Sequence, residues 1–243
     1  FVPMGFALLS FLGLSVSSRW RHTEAARIFR FSVSPALLSV FIGGLLPIFF
    51  ARIYSSPGYS IGAALTLICA LWVILAMVQD VIQKLRHRAL RFMSGRYWGM
   101  FIAHCGIAVC TIGLGLSSIY DSQRDMRMTV GQSAKLADYL FEMRDLNVVN
   151  QANYQATRAE IFVSKSGQEI AVLKPEKRRY FSGEQIMTEA AIDPGLTRDL
   201  YVALGEPLDS GNWAIRFQVK PFVRWIWAGG FMIGLGALLS LSD

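Results

Sequence analysis

One imidazole in an otherwise uncharged stretch is the residue of this sequence best placed to do chemistry. It is His104, inside the 24 residues from Tyr97 to Tyr120, YWGMFIAHCGIAVCTIGLGLSSIY. At about 1.5 Å per residue, such a stretch crosses a hydrocarbon core of about 30 Å as a helix. An ionisable group at that depth is costly, and it faces a bundle interior, a water path, a ligand or a cofactor. Counting from Arg96, His104 lies roughly 12 Å along the helix, in the half nearer that arginine. Cofactor ligation and proton transfer are the chemistries open to it, and a plain interhelical hydrogen bond is the alternative.

Little else in the chain carries a reaction. There is no G-x-x-x-x-G-K-[ST], no H-E-x-x-H and no C-x-x-C, and Cys69, Cys105 and Cys110 all fall in apolar runs. Cys105 beside His104 suggests a metal pair, but adjacent helical residues point about 100° apart, so all three cysteines read as small packing residues. His22 and His87 sit in basic segments and read as solvated. Acid-base neighbours such as Glu176 with Arg178, and Asp199 with Arg198, read as a solvated β-domain surface.

The elements that position His104 follow from the uncharged runs. With 53% hydrophobic residues and a mean hydropathy of +0.39, the composition is that of an integral membrane protein. Spans are expected over Phe1 to Ser18, Phe31 to Ala51 with a kink at Pro47, Ile61 to Val78, the His104 run, and Trp225 to Ser242. Gly99, Ala103, Gly106, Cys110, Gly113 and Ser117 recur at alternating spacings of four and three, which makes one face of small residues for close helix packing. His104 projects from the flank of that face. In the last span Gly230 and Gly234 have the corresponding small-xxx-small spacing. The start at Phe1, within apolar sequence, reads as the cut end of a longer polypeptide.

Charge orients the spans. Arg19 to Arg30 holds four arginines and one acid, and Lys84 to Arg96 holds five bases and no acid, so both are expected on the cytoplasmic or matrix side. Asp121 to Lys220, with 13 bases and 14 acids, falls on the opposite side; the +7 net charge is therefore topological and not a nucleic-acid footprint. This middle segment alternates in hydropathy and carries turn signals at Ser166-Gly167 and Asp209-Ser210-Gly211. Strands are expected over Met126 to Val130, Tyr139 to Met143 and Ala156 to Phe162, with two hairpins around those turns, enough for a small sandwich or barrel. The expected fold is a membrane α-helical bundle of about five spans with an inserted extracytoplasmic all-β domain: 1-120 helices one to four, 121-220 the β-domain, 221-243 the final helix.

Three separated strings now combine. W-G-M-x-x-A-H-x-G at Trp98 to Gly106, MTEAAIDPGLTRDLYVALGEP at Met187 to Pro207, and W-A-I-R with KPFVRWIWAGG up to Gly230 resemble, in content and order, the C-terminal part of the CcmF family. These are membrane subunits of the system I cytochrome c haem lyase, and the likeness covers nearly the whole chain. The resemblance implies transfer of haem from a covalent haem chaperone to the two thiols of a C-x-x-C-H motif in apocytochrome c, together with other cytochrome c maturation subunits. It also implies a b-type haem within the bundle, held by two histidines and serving to reduce the substrate haem iron. His104 matches the C-terminal one of those axial iron ligands, so haem b is the expected cofactor. The family's W-W-x-D haem-presenting segment, the histidines beside it and the other b-haem histidine belong to a region before Phe1. The chain is thus expected to be incomplete alone, working with the remaining N-terminal part or a split subunit. The bacterial inner membrane, with the β-domain in the periplasm, is the expected location; a mitochondrial inner membrane also fits. The competing class is a structural or permease-type membrane subunit without haem.

Overall fold

Apolar runs free of charge cannot leave backbone polar groups unpaired in lipid, so they close on themselves as helices. In the computed structural model, which describes residues 2–16, 24–54, 58–86, 93–183, 185–208 and 211–241, five such helices form. They are α1 (Val2–Ser15), α2 (Ala25–Ile53), α3 (Ile61–Arg86), α4 (Gly95–Ile119) and α5 (Val223–Ser240). The last four are long and apolar enough to cross a membrane, whereas the 14 residues of α1 fall short of a full span. The chain is an integral membrane protein. His22 and His87 lie outside the described residues.

Two helices run further than the uncharged runs. α2 begins at Ala25 and includes Arg27 and Arg30, and α3 continues beyond Val78 through Asp80 and Lys84 to Arg86. Long basic side chains keep their charge at the membrane surface while their stems follow the helix, so a charge boundary need not end the element. α2 also passes through both Pro35 and Pro47 without ending. Pro35 has no N–H to give Phe31 O, and Gln79 Nε2 of α3 donates to that carbonyl at 2.8 Å instead. Tyr59 Oη donates to Gly44 O at 2.9 Å, near Pro47.

The second unit, Tyr120–Pro221, is all β. Its strands are β1 (Ser122–Met128), β2 (Ser133–Leu136), β3 (Tyr139–Asn150), β4 (Tyr154–Lys165), β5 (Gln168–Leu173), β6 (Glu176–Tyr180), β7 (Ile186–Glu189), β8 (Ala191–Asp193), β9 (Arg198–Pro207) and β10 (Trp213–Pro221). One sheet is ordered β1-β10-β9-β8 and the other β2-β3-β4-β6-β7, with β5 also paired to β4. The β4–β5 hairpin turns at Ser166 and Gly167, φ +52° and +80°, the left-handed pair that a two-residue hairpin loop needs. Inward residues of both sheets meet in one core, with Phe141 of β3 and Phe217 of β10 at 4.8 Å between ring centroids.

The surface reading of two acids is corrected here. Glu176 and Asp199 are each only 4% exposed. Glu176 accepts from Arg158 Nε at 2.6 Å and Arg178 Nε at 2.7 Å, one arginine to each carboxylate oxygen. Arg198 pairs with Asp193, not with its neighbour Asp199, whose carboxylate instead accepts from the Gly195 N–H at 2.9 Å and fixes that turn. Alternation along a strand decides these partners: consecutive residues point to opposite faces and cannot meet. Burial opposes ionisation of Glu176, but the hydrogen bonds and charges of Arg178 and Arg158 outweigh it and hold the carboxyl below the ordinary glutamate range. Its contribution to stability is therefore present above the unfolded-state pKa and is lost as pH falls through the depressed folded value. Glu176→Gln should cost about 2 kcal/mol at neutral pH, less than a fully buried pair because the guanidinium groups keep some water. Hydrogen exchange of β4 and β6 amides should accelerate about 30-fold at pH 7, and the gap from wild type should close in acid. Equal protection at pH 7 would show that the pair is neutral to folding.

Candidate functional site

The helix that carries His104 is held by glycines. Gly99, Gly106 and Gly113 recur every seven residues on one face of α4, and α5 lies antiparallel against them with its backbone in van der Waals reach. A Cβ at Gly106 would stand 2.8 Å from Gly229 O, and one at Gly113 would stand 2.7 Å from Ile226 N. From the other side, a Cβ at Gly229 would meet Cys110 N at 2.5 Å, and one at Gly236 would meet Gly99 O at 2.5 Å. Gly230 and Gly234, which the sequence suggested for packing, have no neighbour within 4 Å at their Cβ positions. The partners of a seven-residue ladder are themselves seven apart, and only Gly229 and Gly236 satisfy that.

α3 takes a different side of α4. Tyr97 Oη donates to Asp80 Oδ2 at 2.8 Å, and Gly115 packs on Thr66. Tyr97 and Gly115 lie close to one helical stripe, and His104, seven residues after Tyr97, lies on the same stripe about 10 Å along the axis. His104 is half-buried there, with fully buried Ala108 one turn on. Its Nδ1 is 2.8 Å from Met100 O. A carbonyl can only accept, so Nδ1 is the donor in this contact, and in the neutral ring Nε2 is then the acceptor, turned away from its own helix. This is the state in which an imidazole ligates a metal, with the Nδ1–H anchored so that ring orientation and basicity are set.

The sequence reading passed over Asp80. It is the only acid within the described helices, it forms an ion pair with Lys84, and Lys84 Nζ stands 4.2 Å from the centroid of the Tyr97 ring. Together these three tie the end of α3 to the start of α4 and so fix the depth at which His104 sits. The signal was present as an aspartate four residues before a lysine, the spacing of a helical ion pair. Cys105 and Cys110 are half-buried free thiols, and Cys110 packs against Gly229. Among the described residues no group of three or more His, Cys, Asp or Glu side chains is gathered to hold a metal ion. His104 is the one histidine among the described residues, so of these a metal bound here would take a single imidazole nitrogen.

Known proteins share this architecture. The family described as CcmF C-terminal β-sandwich matches residues 119–221. The cytochrome c-type biogenesis protein CcmF of Pseudomonas aeruginosa is 40% identical over 247 residues, covering 100% of this chain and 37% of that relative. CcmF of Escherichia coli K12 is 40% identical over 240 residues, covering 98% and 35%. A solved structure named cytochrome c heme lyase CcmF superposes with a TM-score of 0.78 at 17% identity, over 99% of this chain and 39% of that one. The chain thus spans a little over a third of the length of the curated relatives it matches. From its helices through its sandwich to its last span, the chain belongs to the CcmF family and corresponds to that family's C-terminal part.

Proposed function

We propose that this chain acts in cytochrome c-type biogenesis as the C-terminal part of a haem lyase that attaches haem covalently to apocytochrome c. In this reading His104 gives one axial nitrogen to a b-type haem in the membrane, and the partners are the rest of the same protein or a split subunit, the haem chaperone and the other maturation subunits. The observation that carries it is the Nδ1 bond of His104 to Met100 O, which anchors the ring and leaves Nε2 of the neutral imidazole available to ligate a group outside its own helix. The donor set fits haem better than a closed metal centre, because one imidazole suffices for one axial position and the porphyrin supplies the equatorial nitrogens. When bound, such a haem supplies one-electron chemistry. The protein's own share is to fix the imidazole: Met100 O sets its tautomer, Asp80 and Lys84 set its depth through Tyr97, and the glycine face seats α4 against α5.

The same reading places the basic ends of α2, α3 and α4 in the cytoplasm and the β unit in the periplasm. One experiment tests both statements. In a strain lacking the gene, full-length protein carrying Gln168→Cys should restore haem-staining c-type cytochromes and react with a membrane-impermeant maleimide added outside, with the unsubstituted protein as the labelling blank. Gln168 is chosen because it is exposed and follows Gly167, whose left-handed φ would strain a cysteine. Normal c-type cytochromes without the gene would overturn the function, and labelling only after membrane disruption would overturn the orientation.

A further inference from the structure

Where α2 and α3 run antiparallel, the clamp at Pro35 leaves a groove. Gln79 spends both ends of its amide on α2: Nε2 donates to Phe31 O, and Oε1 accepts from Ser34 Oγ, each at 2.8 Å. The clamp sits midway along the groove, its amide and hydroxyl spent on each other and on Phe31 O; on its inner side the wall is Leu38, Leu75 and Val78 and on its outer side Ile82, and Leu38, Val78 and Ile82 are 49%, 41% and 42% exposed. At the outer end, opposite Leu75, stand Gln83 and Arg86 in the last turn of α3. The groove is therefore amphipathic along its length, not across it. From Arg86 to Leu75 is eleven residues, about 16 Å of helix, close to the roughly 15 Å hydrocarbon depth of one leaflet.

The polar end is cationic, and no described carboxylate neutralises it. Arg86 makes no ion pair with any described residue, and neither do Arg27 and Arg30, which lie seven and four residues before Ser34 on the same side of α2. The acids of the described helical unit at this end are Glu24, exposed at the start of α2, and Asp80, which is engaged by Lys84 and Tyr97. An exposed guanidinium and a carboxamide stand above a leaflet-deep trough whose side chains are apolar except for Gln79 and Ser34, which are bonded to each other and to α2; this fits a phosphate diester with an acyl chain below it.

We infer that the α2–α3 groove is a binding site for one anionic phospholipid, its phosphate at Arg86 and Gln83 and one acyl chain along Leu38, Leu75 and Val78. The site does not depend on haem or on the lyase reading. It is tested on the full-length protein, purified in mild detergent with equal phosphatidylglycerol and phosphatidylethanolamine and examined by native mass spectrometry. The wild type should retain a single phosphatidylglycerol in preference to phosphatidylethanolamine. Arg86→Gln should reduce that retention about fivefold, the change expected for one interfacial cation, and Arg86→Lys should keep most of it. Leu38→Trp, which fills the trough, should abolish retention with Arg86 intact. Should either fail to fold, Gln83→Glu, nearly isosteric and repelling a phosphate, must lower retention likewise. Equal retention of the two lipids, retention unchanged in Arg86→Gln and Gln83→Glu, or a wild type that holds no lipid because other helices of the full-length protein cover the groove, would each overturn the site.

Discussion

With His104 as the proposed axial ligand, its replacement by alanine in the full-length protein should remove most of the proposed b-type haem while leaving the amount of folded protein in the membrane unchanged. The two halves of this expectation have separate causes. In the proposed site the haem would depend, on this chain's side, on one nitrogen: Nε2 is the atom of His104 not already bonded to Met100 O, and no other described imidazole exists to take its place. The fold depends on the glycine face toward α5 and the Tyr97–Asp80 bond toward α3, neither of which His104 shares. Alanine is also the best helix former, so α4 gains slightly in propensity. Covalent haem in c-type cytochromes should fall with the b-type haem. His104→Met and His104→Cys should keep a fraction of the haem with a shifted midpoint potential, because the axial ligand sets iron redox chemistry. A permease-type subunit without haem predicts the reverse: cytochrome maturation intact, no change in the haem spectrum, and only the small loss of a side chain to backbone bond. A purified His104→Ala protein with full haem stoichiometry and an unchanged reduced spectrum would remove His104 from the list of ligands.

What the sequence made legible was governed by charge and by turn chemistry. The uncharged runs placed α2 to α5, and Ser166-Gly167 and Gly211 marked the turns of the β4–β5 and β9–β10 hairpins, because these signals are local. Three features were hidden, each because a neighbour distant in sequence decides it. The strand read as ending at Met143 continues to Asn150, since a bulge between Met143 and Asp145 shifts the pairing register with β4 and breaks the period of two just where Arg144 and Asp145 look like a loop. The charged EKRRY of β6 reads as surface until Arg158 of β4, opposite Glu176, supplies the charge that lets the carboxylate be buried. Asp80 looks like the edge of a span until Tyr97 and Lys84 close around it. For His104 the sequence supplied the residue and its place along the apolar helix, and the structure adds the contact of its Nδ1 with the Met100 carbonyl, which depends on the rotamer the packed helix allows.

The glycines of α5 give the sharpest test of how α4 is held. Gly229 and Gly230 are adjacent, and in solution helices both would gain about 0.5–1 kcal/mol on substitution by alanine. Their surroundings differ completely. At Gly230 a methyl group has no neighbour within 4 Å, so Gly230→Ala should be neutral or slightly stabilising. At Gly229 the same methyl would lie 2.5 Å from Cys110 N, 2.6 Å from Gly106 O and 2.7 Å from Cys110 Cβ. Two of those are backbone atoms, which no rotamer change can move, so the helices themselves must separate. Separation also strips the matching contacts at Gly236 with Gly99 O, because both glycines belong to one seven-residue ladder. In lipid no hydrophobic force compensates; packing is the main attraction between spans. Gly229→Ala should therefore cost about 1–3 kcal/mol and Gly229→Leu about 3 kcal/mol or more, read as a lower denaturant midpoint of the detergent-purified protein. With His104 as the proposed ligand, Gly229→Leu should also lose b-type haem although His104 itself is unchanged, since α4 can no longer hold it at its depth and angle. Substitutions at 229 and 230 with the same midpoint would mean that α5 does not pack on α4 through this face.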